Sequence, residues 1–116
     1  MSQSNHTPGP WAASKDTAFV RTDNEDQYAI ACVYGAYGNS GMDEVAGANS
    51  CLIAAAPDLL EELRLAHEII RNALTLMTTE QQVAWSQLNE KAGLITDGAT
   101  RAHERSAVIA KASGAV

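Results

Sequence analysis

The side chains able to do chemistry are few and lie far apart. Histidines stand at His6, His67 and His103, whereas a metal centre needs ligands at helix spacing or in paired clusters. His67-Glu68 and His103-Glu104 look alike, but neither continues into a His-Glu-x-x-His pattern, so all three read as surface histidines. Cys32 and Cys51 lack the close pairing of a zinc site and read as reduced thiols buried as small apolar groups. Ser50-Cys51 falls near a helix start, a setting that activates thiols, but no base accompanies it and apolar residues follow. Glu61 and Glu62 are helix neighbours pointing to different sides, so they form no acid/base couple. Gly35, Gly38 and Gly41 recur where a phosphate-binding loop would sit. The Lys or Ser/Thr that such a loop requires does not follow, and Asp43 and Glu44 would repel the anion, so the segment reads as a connector. No catalytic set, metal site or cofactor is expected.

The elements that must carry these residues are readable in outline. Residues 1–9 are polar, lead into the break Pro8-Gly9-Pro10 and read as a flexible arm ahead of a single domain over 10–116. Thr17–Thr22 and Tyr28–Tyr34 have strand composition, with the polar turn Asp23–Gln27 between them and a third short strand at Trp11–Ser14. In the second stretch Tyr28, Ile30, Cys32 and Tyr34 share one face under strict alternation. Helix is expected from Met42 or Asp43 to Ala56, with Pro57 ending it and opening a second helix. There Leu59, Leu63, Ala66, Ile70, Ala73 and Met77 recur at three and four, widened by Leu60, Ile69 and Leu74, making this the main packing helix against the sheet. Thr78 with Gln81 forms a capping box that starts a helix ending at Gly93, and Asp97 caps a last, weakly held helix from about Gly98 to Ala112. The fold class is α+β: a short antiparallel hairpin, or a three-stranded meander, packed on C-terminal helices.

Composition narrows the partners. The 116 residues carry 8 basic and 14 acidic side chains, a net charge of -6. The cations are scattered, which disfavours direct nucleic-acid binding. Alanine supplies 21 of the apolar residues, so the core is thin, and Ala-rich helices with a thin core point to self-association as a homodimer. No membrane span or secretory signal is read, and a cytoplasmic location is expected.

Two segments together carry a resemblance. His6-Thr7-Pro8-Gly9-Pro10-Trp11, and Ala48-Asn49-Ser50-Cys51-Leu52-Ile53-Ala54-Ala55-Ala56-Pro57-Asp58-Leu59-Leu60-Glu61-Glu62-Leu63, resemble a family of small tailed-phage and prophage proteins. Its members pair a "TPGPW" start with an "ANA-LIAAAPDLLEAL" segment. The resemblance covers Thr7 to Leu63 and implies a viral accessory role in the host cytoplasm without assigning a reaction. Physically, Pro8 and Pro10 stiffen the approach to the first strand and Trp11 covers the seam between hairpin and helix. Asn49 is the odd polar residue of its helix, suited to satisfying a backbone group at the junction.

The expected function is a non-enzymatic phage accessory protein that binds a host protein, one form being inhibition of a bacterial defence system in an anti-CRISPR type of action. The alternative is a small oligomeric binder that sequesters a nucleotide. Tyr37, Asn49 and Trp11 are the candidate contacts for a partner or ligand.

Overall fold

Asn24 shapes one tight turn of the chain. Its Oδ1 accepts from the Asp26 and Gln27 amides at 3.0 and 3.1 Å and from the Thr22 hydroxyl at 2.9 Å, an Asx-type turn that folds the chain back. Gln27 closes the loop in the left-handed region, with φ 48°. The buried Thr22 hydroxyl in turn accepts from the Tyr28 amide at 2.8 Å. In the computed structural model, which describes residues 6–14, 17–33, 43–95 and 100–114, this turn joins the second and third strands of an antiparallel meander. The strands are β1 (Trp11–Ala13), β2 (Phe19–Thr22) and β3 (Ala29–Cys32), in the order β1-β2-β3. Three helices follow: α1 (Asp43–Leu76), α2 (Thr79–Lys91) and α3 (Ala102–Ala112). The architecture is α+β, with the three-stranded alternative realised. The chain groups into two compact units, Met1–Glu61 and Glu62–Val116.

In the first unit the inner face of the meander meets the start of α1. Val20, Val33 and Ala46 form the buried cluster, and Trp11, Ala31, Ile53 and Ala54 pack against it. Strict alternation along β3 does not survive. Val20 pairs with Ala31 but Arg21 pairs with Ala29, so Ile30 is an extra residue in a β-bulge, and Tyr28, Ile30 and Cys32 do not form one face. Tyr28 is exposed rather than packed in the sheet, and Cys32 and Cys51 are both exposed free thiols, not buried apolar groups. The buried polar residue of this part of α1 is Ser50, whose hydroxyl donates to the Ala46 carbonyl at 3.0 Å.

Pro57 does not break the helix; α1 runs through it from Asp43 to Leu76. Its missing N–H forfeits one helical bond, and a tertiary contact compensates. A Cβ built on Gly9 would stand 2.9 Å from Pro57 Cβ and 3.2 Å from its Cγ, so the bare glycine backbone lies directly on the ring. The two motifs of the family resemblance therefore touch each other.

In the second unit the half-buried stripe of α1 is Leu63, His67, Ile70, Leu74 and Met77, continuing from the buried Leu60. Of the expected stripe, Leu60, Leu63, Ile70, Ala73, Leu74 and Met77 are buried or half-buried, whereas Leu59, Ala66 and Ile69 face solvent. The α1 residues in the sheet core cluster are Ala46, Ile53 and Ala54, ahead of Pro57. The Thr78 capping box forms as read, with both reciprocal bonds present. Gln82 reaches back to donate to the Leu74 carbonyl at 3.2 Å, covering the end of α1. Gly93, at φ 75°, stops α2: its amide donates to Glu90 and the Leu94 amide to Asn89, a Schellman arrangement. The last helix begins at Ala102, with Arg101 at the cap and no side-chain capping bond, later than the expected start. Asp97 lies outside the described residues.

Candidate functional site

The helix α1 presents His67 on its half-buried stripe, and α3 presents Arg105 and Ser106 to the same place. Arg105 Nε donates to His67 Nδ1 at 3.2 Å, and Ser106 Oγ stands 3.5 Å from His67 Nε2. A guanidinium can only donate. Nδ1 is therefore an acceptor, the imidazole proton sits on Nε2, and that N–H points at the serine oxygen. A serine nucleophile needs the opposite arrangement, with a bare Nε2 to take its proton and an acceptor holding Nδ1–H. As placed, His67 orients Ser106 but is no base for it.

What the cluster does instead is hold α3. The Arg105 Nη1 donates to the Thr100 carbonyl, and Nη2 is buried without a hydrogen-bond partner among the described residues. Eight residues further along, Arg64 of α1 donates to Ser113 Oγ at 2.7 Å, so α3 is fastened to α1 near both of its own ends. Beside it opens a cleft of about 460 Å³ lined by Ile70, Trp85, Asn89, Leu94, Ile95 and Thr100.

In the first unit a different surface is exposed. The outward side of β2 carries Phe19 and Arg21, with the guanidinium carbon 4.7 Å from the phenyl centroid, a cation–π stack. Tyr28 stands exposed just ahead of β3. Aromatic residues and arginine are the side chains that most often anchor protein interfaces.

The residues singled out from sequence divide. Trp11 is half-buried in the packing position expected of it, with His6 edge-on at 6.0 Å and its indole N–H buried without a partner among the described residues. Asn49 is exposed on α1. Tyr37 lies outside the described residues, as do Gly35, Gly38 and Gly41. His67, read as a surface residue, is half-buried and bonded across 38 residues to Arg105, a separation that no local pattern signals. Phe19 and Arg21 were legible only as strand residues.

Among the described residues no helix is long and apolar enough to cross a membrane. No curated protein and no solved structure matches the chain. A match does extend over residues 1–116 to the family described as Salmonella phage P22 protein Y8K6. The phage character implied by the motifs now in contact at Gly9 and Pro57 thus extends to the whole sequence, and the chain belongs to this phage protein family.

Proposed function

We propose that the chain is a non-enzymatic phage accessory protein that works by binding a host protein through the outward face of its meander. The carrying observation is the stacked Phe19–Arg21 pair with exposed Tyr28, an aromatic and arginine patch left in solvent on an acidic chain. Supporting it, β1 and β3 are both edge strands of a three-stranded sheet, and free edges accept a partner's strand. The net charge of -6 favours a target with a basic surface. Inhibition of a bacterial defence system, in the manner of an anti-CRISPR protein, is the concrete form of this reading, since basic nucleic-acid grooves are surfaces an acidic protein can occupy.

Affinity capture from host lysate with the full chain tests it. The expected result is one stoichiometric host protein, lost when Phe19→Ala, Arg21→Ala and Tyr28→Ala are combined. Capture that the triple variant leaves unchanged, or no partner at all, refutes the assignment. A second reading, sequestration of a nucleotide, draws on the Trp85 and Asn89 cleft. Nucleotides that raise the melting temperature of the isolated chain would favour it instead.

A further inference from the structure

The outward face of the meander holds an arginine that is fixed in place yet little bonded. Arg21 lies over the Phe19 ring, and its Nη1 donates to the Gln27 carbonyl at 3.2 Å. Its Nε–H and Nη2–H groups have no partner among the described residues. Those donors lie parallel along one edge of the guanidinium, the pair that grips a carboxylate side-on. Arg21 also lines a groove of about 320 Å³ with Ala12, Ser14, Thr17, Asp23 and Gln27. Taking the host-binding assignment as given, we infer that this groove receives an extended segment of the host protein, added as a fourth strand at the β1 edge, with a carboxylate on Arg21.

Backbone alternation decides which groups β1 offers. The Asp23 amide donates to the Pro10 carbonyl, and the Ser14 amide to the Phe19 carbonyl. Both bonds point toward β2, and Ala12, midway between them and opposite Arg21, points the same way. The N–H and C=O groups of Trp11 and Ala13 therefore point to the open side, where a new strand would bond. The other edge strand, β3, carries the bulge at Ile30, and a bulge breaks the regular spacing that an added strand needs.

Side chains set the register. Ala12 sits across from Arg21, so in that row only a methyl stands between the arginine and the open edge. An added strand would lie about 4.8 Å beyond β1, placing its residue across from Ala12 about 10 Å from the Arg21 backbone. Glutamate and arginine side chains together span that distance. Asp23 is exposed, two residues along β2's direction and opposite Pro10. It repels a second acid and favours a cation two residues from the glutamate. One acid beside a base suits a partner whose surface is basic as a whole.

The probe is the end-blocked peptide Thr-Val-Thr-Glu-Thr-Lys-Thr, titrated into isotope-labelled full chain and followed by NMR. Shifts should centre on the Trp11 and Ala13 amides and the Arg21 Nε–H, with hydrogen exchange slowed at those two amides. Replacing the peptide glutamate by glutamine should weaken binding about tenfold, and that difference should vanish in Arg21→Ala. Arg21→Lys, which keeps the charge but loses the fork, should restore only part of it. No binding at millimolar peptide, equal affinity for the two peptides, or protection away from Trp11 and Ala13 overturns the added strand. A silent peptide does so whatever the lysate returns, and a lysate without a partner overturns the host assignment whatever the peptide does.

Discussion

Gly9 shows how much one missing methyl can matter. Its Cα faces the Pro57 ring so closely that a Cβ there would fall 2.9 Å from a rigid pyrrolidine carbon inside a helix, which cannot swing aside. Gly9→Ala should therefore destabilise the fold by about 1–3 kcal/mol, the usual cost of forcing a methyl into an occupied site. Thermal melting of the variant checks this; an unchanged midpoint would show that the arm lifts off Pro57 at no cost. Trp11 beside it spends part of its burial on an indole N–H with no partner among the described residues. His67 illustrates the same scale from the polar side: its tautomer is set by Arg105, and that single assignment separates a helix fastener from half of a nucleophilic dyad.

At the scale of elements, α2 is the one most governed by its ends. None of its residues is buried, and Val83 and Leu88 are exposed, so the Thr78 box and the Gly93 stop carry weight that packing would otherwise bear. Thr78→Ala should cost about 1 kcal/mol, lowering the melting midpoint by roughly 4 °C for a chain of this length; hydrogen exchange should accelerate first at the Gln81 amide. Features of this kind were legible in the sequence because they are local: Thr78 with Gln81, Asn24 in its turn and Gly93 each act within a few residues. Pro57 was not, since the penalty it carries is local while the compensation comes from a residue 48 positions earlier. Nor was the bulge at Ile30, which a period-two reading cannot contain. Apolar residues stand on more than one side of α1, which explains why Leu59 and Ile69 are exposed where the period allowed them to be covered. Leu59 and Leu60 both fit a helical period, and periodicity alone does not say which one the chain will cover with itself. The exposed Phe19–Arg21 patch was hidden for a related reason: the two residues alternate as any strand residues do, and only the pairing register turns them outward.

At the scale of the whole molecule, the described residues bury six apolar side chains, two of them alanine, while twelve large ones remain exposed. Anything that binds only the folded chain, a second copy included, would add to its stability, and self-association would make the melting midpoint depend on concentration. Raising the protein concentration about a hundredfold should stabilise a dimer by about 2.7 kcal/mol and shift the midpoint upward by several degrees. A midpoint constant over that range would mean that folding and self-association are uncoupled. The contact between Gly9 and Pro57 has one more consequence, for inheritance. Genes that exchange segments by recombination keep a working product only when the crossover leaves interacting positions together. An exchange falling between codons 10 and 57 from a diverged parent would join an N-terminal tract to a helix shaped for a different one, so the first half of this gene should descend as a unit.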